Sequence, residues 1–209
     1  MNKWIYEGDF EVTSKMVDNG ILIKEMIPDE VIGYFDCSYN KLTSLQHCPS
    51  LVGGNFYCHY NQLTSLQHCP SAVGGNFFCD NNQLTSLQYC PSTVGGNFYC
   101  NNNKLTSLEG CPSTVGGDFS CSYNKLTSLQ GCPSTVGGNF DCNKNLLDLT
   151  IEQEFIESGS CSSQESFFID LLKYMINKKI DLATITTWPD GFLSPEVISS
   201  AKGMAKFML

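Results

Sequence analysis

The stretch NFYCHYNQLTSLQHCPSAVGG, residues 55–75, decides the architecture, because the chain repeats it in six copies at a period of 21 residues. Asn40, Asn61, Asn82, Asn103, Asn124 and Asn145 mark that period with no insertion or deletion between them. A register held so strictly predicts identical coils stacked on one another, each too small to bury its apolar side alone and each completing its neighbour's core. Within one copy, Phe56 and Cys58 alternate with Tyr57, the period-two rhythm of a strand, and Asn61, Leu63, Leu66, Cys69 and Val73 follow. Pro70 at the middle of the return argues against a helix and for an extended, polyproline-like segment. Gly74 and Gly75 then close the coil, either by adopting positive φ or by letting neighbouring coils approach closely.

Two columns are assigned structural work. The Asn column sits where the chain leaves the strand, and an amide carries a donor and an acceptor to replace the lost sheet partners, so a ladder between coils is expected. Phe35, Phe56, Phe77, Phe98, Phe119 and Phe140 supply the apolar half.

The segment FYCHYNQL resembles the leucine-rich repeat pattern LxxLxLxxNxL, with Phe56 and Cys58 on the second and third apolar places, Asn61 on the Asn place and Leu63 on the last. The tail LTSLQHCPS is similar to the bacterial subclass of that family, whose return reads LTxLPxLP; Leu66, Cys69 and Pro70 match. The sequence departs from the family by placing Gly53 on the first apolar place and by using Cys for an aliphatic residue twice per copy. The resemblance covers residues 32–150. It implies a repeat solenoid, a leucine-rich repeat array with a parallel β-sheet on its concave face and extended convex returns, and it is nearly silent on function, since the family is defined by its scaffold. Cys-rich arrays carrying LTSL and VGG are also similar to proteins of bacteriophages, large viruses and bacteria.

The ends are read as caps. Subtracting 21 places Asn19, Ile21, Ile27, Pro28 and Val31 opposite Asn40, Leu42, Cys48, Pro49 and Val52, so residues 1–31 form an N-terminal cap with a degenerate repeat. WIYEGDFEV before it reads as strand or hairpin, with Trp4, Tyr6 and Phe10 covering the first coil. Past Asn145 the pattern fails. Ser162 with Glu165 forms a capping box, Phe167, Phe168, Leu171, Leu172, Met175 and Ile176 recur at helical spacing, and a second helix is expected from Pro195. Residues 151–209 are therefore a small α-helical C-terminal cap or, alternatively, a partner-binding or dimerising module.

Twelve cysteines admit two readings. An even count suggests disulfides or a metal array. The periodicity places eleven of them on inward columns as reduced, buried hydrophobes, and no pair shows the short spacing of structural zinc sites. Cys161 alone lies off the columns; chemistry there is the enzymatic alternative. No phosphate-cradling glycine loop and no Ser-His-Asp or Cys-His set is present, and no match to the ubiquitin-ligase domain that some bacterial relatives of this repeat subclass append is visible after Cys161. His47 and His68 share one return-side column and read as solvated. The expectation is a non-catalytic protein with no cofactor and no metal. The absence of a basic-then-apolar start and of any long apolar run predicts neither a signal peptide nor a membrane span, hence a cytoplasmic protein, in the host cytoplasm if viral.

Function is sought in columns that vary within an otherwise copied unit. Between Phe and Cys stand Asp36, Tyr57, Phe78, Tyr99, Ser120 and Asp141; beyond Cys stand Ser38, His59, Asp80, Asn101, Ser122 and Asn143, and beside them Tyr39, Tyr60, Asn81, Asn102, Tyr123 and Lys144. The residue before Phe varies too and includes Asp118. These positions drift toward Tyr, Phe, Asp and His, the residues that carry interfaces. With strands about 4.8 Å apart, six of them span about 24 Å, enough for a standard protein contact. The proposed contact set is Asp36, Tyr39, Tyr57, His59, Tyr60, Phe78, Asp80, Tyr99, Asn101, Asp118, Tyr123 and Asp141. Cross-strand stacking of Tyr57, Phe78 and Tyr99 for stability alone is the competing reading. A net charge of −9 repels phosphate backbones and favours a partner protein with a basic surface. The chain is thus expected to bind a protein, as a phage- or bacterium-encoded inhibitor of a host defence protein would. The alternative is a self-associating particle component using the C-terminal helices; the sequence leaves the oligomeric state open.

Overall fold

The computed structural model describes residues 3–146, residues 128 and 130 excepted, so the helical segments expected over 151–209, together with Cys161, lie outside the described residues. Within that span the chain is a parallel β-solenoid of about six turns. Each turn contributes a two-residue strand beginning at its Phe, and these strands form one seven-stranded parallel sheet running from Phe10–Glu11 through Phe35–Asp36, Phe56–Tyr57, Phe77–Phe78, Phe98–Tyr99 and Phe119–Ser120 to Phe140–Asp141. Partner residues stand in register, Phe opposite Phe, so every column of the sequence becomes a rank along the solenoid.

The return differs from the expected polyproline-like run. It passes through turns and ends in a second parallel ladder, built from Ile5–Tyr6, Glu30–Val31, Leu51–Val52, the bridges of Val73 to Val52 and Val94, then Thr93–Val94, Thr114–Val115 and Thr135–Val136. A strand of two residues is too short to show a period of its own, which is why the sequence conceals it. The core lies between the two ladders: the Phe and Val ranks, the two Leu ranks and the strand cysteines are buried. The Phe rings follow one another down the axis with centroids 5.0–5.9 Å apart, some pairs stacked and others tilted.

The Asn column is the expected ladder. Asn103 accepts from Leu84 N at 2.9 Å through Oδ1, while its Nδ2 donates to Cys79 O and Cys100 O, both at 3.1 Å, tying one coil to the next. The same three contacts recur at Asn61, Asn82 and Asn124. Asn103→Ala leaves these groups buried without partners, and a loss of about 2–3 kcal/mol in urea unfolding is expected. A second ladder runs before the Phe strand, where Asn97 N donates to Asn76 Oδ1 and Asp118 N to Asn97 Oδ1, each at 2.8 Å.

The cysteines divide. All eleven described cysteines are free thiols. Those of the strand are buried, whereas Cys48, Cys69, Cys90, Cys111 and Cys132 before the prolines are only half-buried, packed on the edge of the core. Both columns face the core as expected; complete burial holds for the first and is corrected for the second.

The N-terminal residues form strands as expected, and Phe10 stacks on Phe35 with Trp4 and Tyr6 edge-on to its ring. Ile5–Tyr6 and Phe10–Glu11 join separate sheets, both parallel to the next coil. Ile27, Pro28 and Val31 are buried as expected. Asn19 and Ile21 are not repeat counterparts: they belong to an antiparallel hairpin, Val17–Asp18 against Ile21–Leu22, whose turn places Asn19 at φ 49° and Gly20 at φ 79°, and Leu22 takes the buried place. An Asn-Gly pair favours just such a turn, so local turn chemistry overrides the period there.

Candidate functional site

The outer face of the Phe-strand sheet gathers the divergent columns. Because successive strand residues point to opposite faces, burying Phe77 and Cys79 turns Phe78 outward, where it is half-buried among its neighbours. Tyr57, Phe78 and Tyr99 follow one another along the face, Tyr57 to Phe78 at 5.3 Å and Phe78 to Tyr99 stacked at 4.6 Å with planes 7° apart. Tyr99 donates its hydroxyl to Asp118 Oδ2 at 3.4 Å and accepts from Asn97 Nδ2 at 3.2 Å. Burial first, then the Asp118 carboxylate, raises the pKa of the Tyr99 hydroxyl. Asp118 is also a rung of the second ladder, accepting from Asn139 N at 2.7 Å, so it serves the fold as well as the face.

A second group lies beside the first. Tyr39 and Tyr60 stack at 4.6 Å with planes 9° apart, and the imidazole of His59 meets Tyr39 at 5.4 Å, Tyr60 at 5.7 Å, Tyr57 at 6.0 Å and Phe78 at 6.3 Å, edge-on to each. The structure therefore brings Tyr39, Tyr57, His59, Tyr60, Phe78 and Tyr99 into one aromatic surface. Tyr123 is exposed three coils beyond Tyr60, the nearest tyrosine of its rank, and makes no ring contact with this group among the described residues.

Carboxylates border the rings. Asp36 accepts from Ser38 N at 2.8 Å and from Ser38 Oγ at 2.5 Å; Asp80 accepts from Asn81 Nδ2 at 2.6 Å; Asp141 accepts from Asn143 N at 3.1 Å and from Ser120 Oγ at 3.3 Å. Asn101 is half-buried and its carbonyl receives Asn81 N at 3.1 Å. The ion pairs among the described residues, Lys3 with Glu30 and Lys24 with Asp29, involve none of these acids.

Two residues outside the proposed set extend the surface. Glu11 pairs with Asp36 across the sheet, and Tyr34 donates its hydroxyl to Glu11 at 2.7 Å while its ring meets Tyr57 at 6.1 Å. That hydrogen bond pushes the Tyr34 pKa up to about 12. Glu11 escapes a search at 21-residue spacing because the first coil is longer, Phe10 pairing with Phe35; the likeness of Phe10-Glu11-Val12 to Phe35-Asp36-Cys37 would have found it.

Compared with known proteins, the chain matches no family model, no curated protein and no solved structure.

Proposed function

We propose that this solenoid is a non-catalytic protein-binding module of leucine-rich repeat type, whose aromatic sheet face receives a basic surface of a partner protein. The period, the buried Asn rungs and the Leu ranks support the repeat assignment, with the Phe-strand sheet as its binding side. The observation that carries the binding reading is the assembly of divergent outward residues into one continuous surface of stacked rings bordered by carboxylates, in a chain that otherwise copies itself. Packing alone would be served equally well by an identical residue in every copy. Desolvated aromatic anchors with acids at their rim suit a cationic counterpart, and the net charge of −9 adds long-range attraction. An intracellular inhibitor encoded by a phage or bacterium, occupying a basic site of a host defence protein, fits these properties.

The test compares full-length protein with a variant carrying Tyr57→Ala, Phe78→Ala and Tyr99→Ala, first in capture from host extract and then in titration of the purified partner. The expected result is a Kd raised about 100-fold, an affinity of the native chain that falls with added salt, and far-UV circular dichroism unchanged. A partner that binds both proteins equally moves the site off this face.

A further inference from the structure

Resting on the binding-face reading, we infer that Tyr39 and Tyr60, backed by His59 and flanked by Asp36 and Asp80, form a subsite for an arginine side chain of the partner. Both tyrosines are held in the left-handed region, at φ 58° and 51°, which suits glycine or asparagine and disfavours a bulky side chain. The rank is left-handed in every one of these coils: Asn81 and Asn102, the locally better choice, follow with φ 53°, then Tyr123 at φ 53° and Lys144 at φ 57°. Tyr39 and Tyr60 remain 67% and 48% exposed, so burial does not compensate for the strained backbone. A costly conformation retained for an exposed ring points to contact with something outside the chain.

The surroundings define what that is. The stacked pair presents flat π-surface, and Asp36 and Asp80 stand close enough that, after burial and Tyr60, their charges help to raise the Tyr39 pKa. Neither carboxylate meets a cation among the described residues. A guanidinium matches each feature: it is planar, stacks on aromatic faces, is weakly hydrated, and carries five N–H donors in a fork that fits a carboxylate. An ammonium is a compact, strongly hydrated point charge that gains less from stacking. An apolar side chain would desolvate the carboxylates without pairing them, and an anion would be repelled.

The experiment titrates full-length protein with N-acetyl-arginine amide and, separately, N-acetyl-lysine amide at equal ionic strength, following the tyrosine ring resonances by NMR. The arginine probe is expected to shift Tyr39 and Tyr60 at concentrations about five-fold lower than the lysine probe. Tyr39→Asn with Tyr60→Asn, which restores the residue that the same rank uses at Asn81 and Asn102, is expected to keep the thermal melt and to abolish arginine-induced shifts of the neighbouring Tyr57 and His59 rings. Asp80→Asn is expected to weaken the arginine response about five-fold. Equal responses to the two probes, or arginine shifts that survive in the double Tyr variant, overturn the subsite. If capture of the partner still depends on Tyr57, Phe78 and Tyr99 while the probes fail, the arginine subsite falls and the binding face stands; loss of both removes the face as well.

Discussion

Raising the pH from 8 to about 10.5 is expected to unfold the solenoid cooperatively, because its core is lined with thiols that the folded state keeps protonated. Burial pushes the thiols of Cys58, Cys79, Cys100 and Cys121 well above their ordinary pKa of 9.0, and those of Cys69 and Cys132 up to about 12. In the unfolded chain the same groups ionise near 9. Above that pH the native state holds more protons than the unfolded state, so stability, fully present below pH 9, falls as the pH rises toward the folded-state values. Each such thiol costs about 1.4 kcal/mol per pH unit, and the four buried ones together roughly 5 kcal/mol per unit, against a total of about 5–15 kcal/mol for a domain. The fold should therefore be lost one to two units above pH 9. The Tyr34 hydroxyl, raised to about 12 by its bond to Glu11, acts with the same sign at higher pH. Far-UV circular dichroism followed through a pH titration, under reducing agent, checks this. Cys79→Ala with Cys100→Ala should make the protein less stable at pH 7 yet flatten the alkaline slope by roughly half of the four-thiol contribution. A native spectrum at pH 12 would refute the account.

Gly95→Ala is expected to cost about 3 kcal/mol, far more than a methyl group on a surface residue ordinarily does. Gly95 is exposed and its φ lies outside the left-handed region, so neither burial nor backbone freedom explains it. The reason is space. A β-carbon there would drive into the carbonyl oxygen of Gly74 on the preceding coil and come within 3.0 Å of its carbonyl carbon. Gly116 bears the same relation to Gly95, so the coil spacing itself depends on these positions having no side chain. Gly96 N to Gly75 O, at 2.9 Å, is the adjoining bond that a forced separation would stretch. Denaturant unfolding of Gly95→Ala beside the exposed Gln88→Ala separates the explanations: the second variant should change stability by less than about 0.5 kcal/mol. Equal small effects would mean that the coils can part locally without loss.

What the sequence disclosed followed from its period. Once Asn40 to Asn145 fix the register, alternation about each Phe sorts Phe77 and Cys79 inward and Phe78 outward, and the Asn amides must bridge coils because nothing else there offers a donor and an acceptor at once. The aromatic column Tyr57, Phe78, Tyr99 was readable for the same reason. Where a local signal competes with the period, arithmetic fails, as at Asn19 and Gly20, whose hairpin lengthens the first coil and hides Glu11.

The amino-acid order by itself thus determined the solenoid, its rank structure and which side chains face out, since a one-residue slip would send every buried ring to solvent. Tertiary structure alone decided the second ladder through Val52, Val73 and Val94, the close approach at Gly74 and Gly95, and the gathering of Tyr39, His59 and Tyr60 into one group with Tyr57 and Phe78. Those features depend on distances between coils and on backbone angles at single residues, which arise only when one turn is laid on the next.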